Sequence, residues 1–130
     1  MKKKLLIICA NYYKDISDGL VKSAMSVLNI NYKIKMINVP GVFEIPVTIS
    51  RNIKRYDGFI ALGCVIKGET PHFDFICNST FISLINLSTN SKKPIGNGII
   101  TSLNMKQAIK RSLIKGREAA NAVLEVIKND

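Results

Sequence analysis

With 130 residues, 47% hydrophobic and 22% charged, the chain is expected to fold as one soluble domain over residues 1–130, with a genuine core but no room for a second unit. Lys+Arg total 19 against 9 for Asp+Glu, a formal net charge of +10. After Lys2-Lys3-Lys4 the cations are scattered singly, with no recognition helix or aromatic-basic RNA motif, so the excess reads mainly as compositional drift; no nucleic-acid partner is expected.

Residues 4–10 (KLLIICA) form a continuous apolar run between charge and Asn11, the pattern of a strand buried on both faces. The run is too short for a bilayer span or a signal-peptide core, so the expected compartment is the cytoplasm, with no membrane partner. After a loop at residues 11–14, Ile16, Leu20, Ala24, Val27 and Leu28 recur at helical spacing, and residues 29–31 end that helix. Residues 32–39 read as a second strand, closed by Pro40-Gly41. Beyond Val42-Phe43-Glu44-Ile45, Pro46 is expected to start a short helix ending near Arg55. The third strand is residues 59–66. Lys67-Gly68-Glu69-Thr70 follows, with Thr70 placed as a helix N-cap and Pro71 at the first helical position.

The helix that continues to about residue 88 carries one apolar stripe through Phe73, Ile76, Cys77, Phe81 and Leu84 and a second through Phe75, Ile82 and Ile85. Two apolar faces predict two partners, the sheet and another subunit. Residues 94–101 form a fourth strand, in which Gly96 and Gly98 around Asn97 predict a bulge or a close approach. Asn104-x-x-Gln107 is a capping-box variant that opens a helix containing Arg111. Gly116 is expected to interrupt it, leaving a final helix that buries Ala120, Val123, Leu124 and Ile127.

This alternation predicts an α/β fold with a four-stranded parallel sheet flanked by helices. Ligands bind such sheets outside the carboxyl ends of the strands, here the loops at residues 11–14, 40–44, 67–72 and 101–104. Cys9, Cys64 and Cys77, odd in number and set in apolar segments without Cys-x-x-Cys spacing, read as reduced core residues rather than disulfides or zinc ligands. No P-loop or G-x-G-x-x-G follows a strand, which excludes the commonest nucleotide-binding loops. A glycine-containing loop at a helix N-terminus can hold a phosphate, and the imidazole of His72 beside it suits proton transfer. A capped turn with a surface histidine accounts for the same residues. Tyr12, Tyr13 and Phe43 could flank a planar heterocycle or merely cap the core. Glu44 could accept hydrogen bonds from ring N–H groups or complement a helix dipole. Arg111 is either a solvated charge or a phosphate clamp.

Three segments, VPGVFEIP at residues 39–46, ALGCVIKGETPHFD at residues 61–74, and Gly98-Ile99-Ile100-Thr101 with Gln107-Ala108 and Arg111, resemble the 6,7-dimethyl-8-ribityllumazine synthase family, and the resemblance extends over residues 5–127. It implies a condensation without cofactor or metal, in riboflavin biosynthesis: 5-amino-6-(D-ribitylamino)uracil and 3,4-dihydroxy-2-butanone 4-phosphate give the lumazine, with loss of phosphate and water. It further implies a three-layer flavodoxin-like sandwich assembled as homopentamers, with active sites between subunits. By the same resemblance Tyr12 stacks on the pyrimidine, where phenylalanine or tryptophan is more usual, and Val42, Phe43, Glu44, Cys64, Val65 and Ile66 hold the pyrimidine and ribityl chain. Glu69 and Thr70 then form the phosphate-binding turn, His72 moves protons, and Arg111 of a neighbouring subunit binds the phosphate, with Lys115 nearby. Asn97 stands where many members carry a phenylalanine lid, also from the neighbour. The segment after Arg111 is shorter than in many capsid-forming members and no extension precedes the first strand, so a free pentamer or a pair of pentamers is expected rather than a sixty-subunit shell. Two rivals are a non-catalytic lumazine or flavin binder, which would have no need of His72, and a nucleic-acid-binding domain driven by charge.

Overall fold

A computed structural model describes residues 2–28, 30–68 and 71–129. Strand β1 (Lys3–Ala10) sets the architecture, because its apolar run has no side free for water. Leu5, Ile7 and Cys9 enter one core while Leu6, Ile8 and Ala10 enter another, as the two-residue alternation of a strand requires. Strands β2 (Tyr32–Val39) and β3 (Gly58–Ile66) pair with β1 in parallel on either side, and β4 (Ile95–Ser102) extends β3, giving the order β2-β1-β3-β4. Helices α1 (Lys14–Met25) and α4 (Met105–Lys128) cover the Leu5 face. Helix α2 (Ile45–Asn52), entered through a 3-10 turn at Val42–Glu44, and helix α3 (His72–Ser91) cover the Leu6 face. The result is a three-layer α/β sandwich of flavodoxin-like strand order.

The strands fall within one residue of the expected bounds, and the helix ends differ more. Helix α1 stops at Met25 because the chain tightens: the N–H groups of Val27 and Leu28 donate three residues back, to Ala24 and Met25, at 3.4 and 3.3 Å. Val27 and Leu28 still pack on the core. Helix α3 begins at His72, and the Pro71 carbonyl accepts the Phe75 N–H at 3.2 Å. The cap expected at Thr70 lies outside the described residues. At the start of α4 the reciprocal cap is present, with Asn104 Oδ1 accepting from Gln107 N–H at 2.9 Å and Gln107 Oε1 from Leu103 N–H at 3.0 Å.

Gly116 does not break the last helix; α4 runs through it without interruption. A Cβ at this position would overlap the carbonyl oxygen of Leu20, so the glycine is there to let α1 and α4 cross closely. Gly96 does the same for α4 over β4, where a Cβ would overlap the Ala119 carbonyl, and at Gly98 a Cβ would meet Leu62 and Ala61 of β3 before reaching Ala119. The β3–β4 register continues unbroken from Phe59↔Ile95 to Ile66↔Ser102, so the pair marks a close approach and not a bulge. Cys9, Cys64 and Cys77 are free and buried. Among the described residues no helix is long and apolar enough to cross a membrane, and no three His, Cys, Asp or Glu side chains are grouped to hold a metal.

Gly116→Ala sets two effects against each other. Helix propensity alone would stabilise by about 1 kcal/mol, whereas overpacking a close contact costs about 1–3 kcal/mol. Because the obstacle is backbone oxygen that cannot rotate away, a net loss of stability is expected, read as a lower urea midpoint at unchanged m-value; a raised midpoint would contradict the close crossing.

Candidate active site

The four loops at the carboxyl ends of the strands gather at one end of the sheet, and three of them enclose a cleft of about 330 Å³. The loop after β1 is fixed by Asn11, whose N–H donates to Val39 O at 3.0 Å and ties it to the end of β2. It presents Tyr12, which is 75% exposed, with its ring edge-on to Tyr13 at a centroid separation of 4.9 Å. After β2 the chain turns sharply, with Glu44 N–H donating to Gly41 O at 3.2 Å. Val42 is the buried anchor of this turn: its Cγ1 lies where a side chain on Gly63 would stand, so it packs directly on the β3 backbone. With Val42 turned inward, Phe43 is left 66% exposed at the rim.

The end of β3, Cys64-Val65-Ile66, forms one wall, and Lys67 N–H donates to Ser102 O at 2.9 Å to hold it beside the end of β4. His72, the first residue of α3, stands at the opening, with Ile76 one turn further in. Burial pushes the Cys64 thiol up to about 11, a hydrogen bond with Ser102 opposing the shift and nearby Cys77 adding to it. At neutral pH Cys64 is therefore an apolar, unreactive wall residue rather than a nucleophile. Its neighbours are aliphatic and the rim is aromatic, so the cleft is shaped for a flat, partly apolar molecule with an imidazole at its edge.

Of the residues expected from sequence, Tyr12, Val42, Phe43, Cys64, Val65, Ile66 and His72 therefore share one cleft. Glu44 faces an adjoining recess of about 340 Å³, which shares Phe43 and is bordered by Ser79, Thr80 and Ser83 of α3. Asn97 is not brought to the cleft within this chain; it is exposed on β4 beside Phe81 and Ile85, with its Oδ1 accepting from Ile99 N–H at 3.1 Å. Arg111 also stays outside, exposed on α4, where Nη1 donates to Thr101 O at 2.8 Å. Lys115 lies a turn further along the same helix, half-buried. Glu69 and Thr70 fall outside the described residues.

Three further residues line the cleft. Tyr13 was a candidate stacker beside Tyr12, and Gly41 belongs to a loop singled out for its place at a strand end. Ile76 reads from its periodicity as core; the signal that would have flagged it is its spacing of one helical turn from His72.

Residues 2–130 match the family model described as 6,7-dimethyl-8-ribityllumazine synthase. Among curated proteins bearing that name, the chain is 42% identical to one from Bartonella tribocorum, over 98% of this chain and 91% of the relative. It is 43% identical to one from Bartonella bacilliformis, over 95% and 87%, and 40% identical to one from Agrobacterium fabrum, over 98% and 94%. With a match over nearly all of its length, the chain belongs to the 6,7-dimethyl-8-ribityllumazine synthase family.

Proposed function

We propose that this protein condenses 5-amino-6-(D-ribitylamino)uracil with 3,4-dihydroxy-2-butanone 4-phosphate to form 6,7-dimethyl-8-ribityllumazine, the penultimate step of riboflavin biosynthesis. The observation that carries the reading is the cleft at the carboxyl end of the sheet, with aromatic rim, aliphatic wall and histidine, in a chain that matches the family over residues 2–130. In this account Tyr12 and Phe43 sandwich or border the pyrimidine, Cys64-Val65-Ile66 supports its edge, and Glu44, in the adjoining recess, receives polar groups of the ring or ribityl chain. Glu69 and Thr70 are assigned to the phosphate turn before α3.

The amine of the pyrimidine condenses with the ketone, phosphate leaves by elimination, and ring closure releases water. Each step moves a proton, and His72 at the rim is the group assigned to carry them. Alignment of the two reactants supplies much of the remaining acceleration, a contribution that reaches about 7–11 kcal/mol when geometry is good. No step calls for a cofactor or a metal. Cysteines that are free and buried are in keeping with a reducing cytoplasm.

The cleft is one half of the site in this reading. Phe75, Ile82 and Ile85 on α3 and Met105, Ile109 and Leu113 on α4 are exposed apolar residues at helical spacing, which supports a homo-oligomer, taken as a pentamer. Asn97 and Arg111, outside the cleft of their own subunit, would serve that of the next, Asn97 over the ring and Arg111 on the phosphate.

Two outcomes are expected. His72→Ala lowers kcat by about a hundredfold with KM little changed, leaving the activity that alignment provides; undiminished turnover would remove the histidine from the mechanism. When His72→Ala and Arg111→Ala chains are co-expressed in one assembly, activity exceeds the mean of the two pure variants, because some sites then combine an intact His72 with an intact Arg111 from a neighbour. Activity equal to that mean would mean each site is built within one chain.

A further inference from the structure

Cations that stand apart in the sequence converge at the end of the sheet opposite the cleft, on the order of 25 Å away along the strands. Lys4 of β1 and Lys33 of β2 are register partners, so their side chains leave the same face of the sheet next to one another. Lys35 follows two residues on, along the same face. Lys54, Arg55 and Tyr56, in the turns between α2 and β3, form the facing wall. Between them lie two adjoining recesses of about 500 and 670 Å³, which share Lys4, Lys33, Lys54, Arg55 and Tyr56.

Among the described lining residues the cations far outnumber the carboxylates. Among the described residues one carboxylate borders the recess, that of Asp57, which accepts the backbone N–H of Lys4 at 2.7 Å. Among the described residues the ion pairs are Lys14–Asp18 and Lys128–Glu125, and none of these four side chains lines the recess. Lys93, at the margin, donates to Ile53 O at 2.6 Å, and Lys4, Lys33, Lys35, Lys54 and Arg55 are left facing a common hollow. Like charges directly opposite on neighbouring strands are destabilising, and an anion seated between them turns that repulsion into attraction.

We propose that this basic recess is a second ligand site, separate from the catalytic cleft, that binds a small polyphosphate of the inorganic triphosphate or nucleoside triphosphate class. The hollow has the volume of a small-molecule site. Its cations come from three segments and converge on a concavity, which matches the compact charge of a phosphate chain better than the long backbone of a duplex. Lysines act as point charges on phosphate oxygens, and Arg55 adds a guanidinium fork suited to two of them at once. Tyr56, edge-on to Phe59 at a centroid separation of 6.1 Å, gives the recess a firm aromatic wall against which a nucleobase can rest.

Isothermal titration of the purified protein with tripolyphosphate, ATP and orthophosphate, at low salt and at about 0.15 M, tests the assignment. Saturable binding of one tripolyphosphate per chain is expected, weaker at the higher salt and far tighter than orthophosphate. It should fall at least about tenfold in a Lys33→Gln/Lys54→Gln variant whose circular dichroism and condensation rate are unchanged. Tighter binding of ATP than tripolyphosphate would assign base contact to Tyr56, and equal binding would assign recognition to the phosphates alone; both support the site. Unchanged affinity in the double variant, orthophosphate binding as tight as tripolyphosphate, or displacement of tripolyphosphate by a short DNA duplex that binds more tightly would overturn it.

Discussion

Burial of β1 on both faces is the constraint from which the rest of the molecule follows. Leu5, Leu6, Ile7 and Ile8 are each fully buried, and removing a side chain of this kind from water is worth about 1.5–3 kcal/mol. A strand with that demand cannot face solvent on either side of the sheet. It needs helices above and below, and the helical crossovers that supply them leave the strands parallel, so every strand ends at the same side of the sheet. There the backbone emerges from the core and its loops are free to carry polar and aromatic groups. The cleft is thus a consequence of the sheet: Val42 packed on Gly63 fixes Phe43, and the bond from Asn11 to Val39 fixes Tyr12.

The same packing explains why the site stops where it does. Gly96 and Gly116 draw α4 tightly against β4 and α1, and Arg111 is held to its own strand through Thr101. The residues on that side of the molecule are therefore rigidly displayed but turned away from the cleft of their own chain. Helix α3 carries His72 and Ile76 at the cleft and Ile85 beside Asn97, so the surface proposed for assembly and the surface proposed for catalysis share one helix. In the proposed assembly, association would do two jobs at once, covering apolar area and joining the phosphate side to the pyrimidine side.

Much of this was legible in the sequence where the determining interactions are local or periodic. The four strands could be bounded to a residue because the apolar runs of β1 and β3 end abruptly at charge or a polar residue, β2 is closed by Pro40-Gly41 and β4 opens after Pro94, and the cap of α4 is written in Asn104 and Gln107. The cleft residues were legible because the loops after parallel strands are the expected place for them, and because three motifs carry the family resemblance. What was not legible depends on contacts distant in the chain. Gly116 reads locally as a helix breaker, and only the Leu20 carbonyl, far away in sequence, makes it a crossing point. The cations are dispersed along the chain, yet the Lys4–Lys33 register partnership and the turns after α2 bring several of them to one hollow. Helix ends such as Met25 were set by the tightening of a last turn, which periodicity does not encode.

That the cleft at the carboxyl end of the sheet performs a condensation is most directly tested by mixing the purified protein with 5-amino-6-(D-ribitylamino)uracil and 3,4-dihydroxy-2-butanone 4-phosphate and following lumazine absorbance and inorganic phosphate together. The account predicts the two products in equal amounts, at a rate proportional to protein and well above the reaction without it. Lumazine formed no faster than in the absence of protein would contradict it.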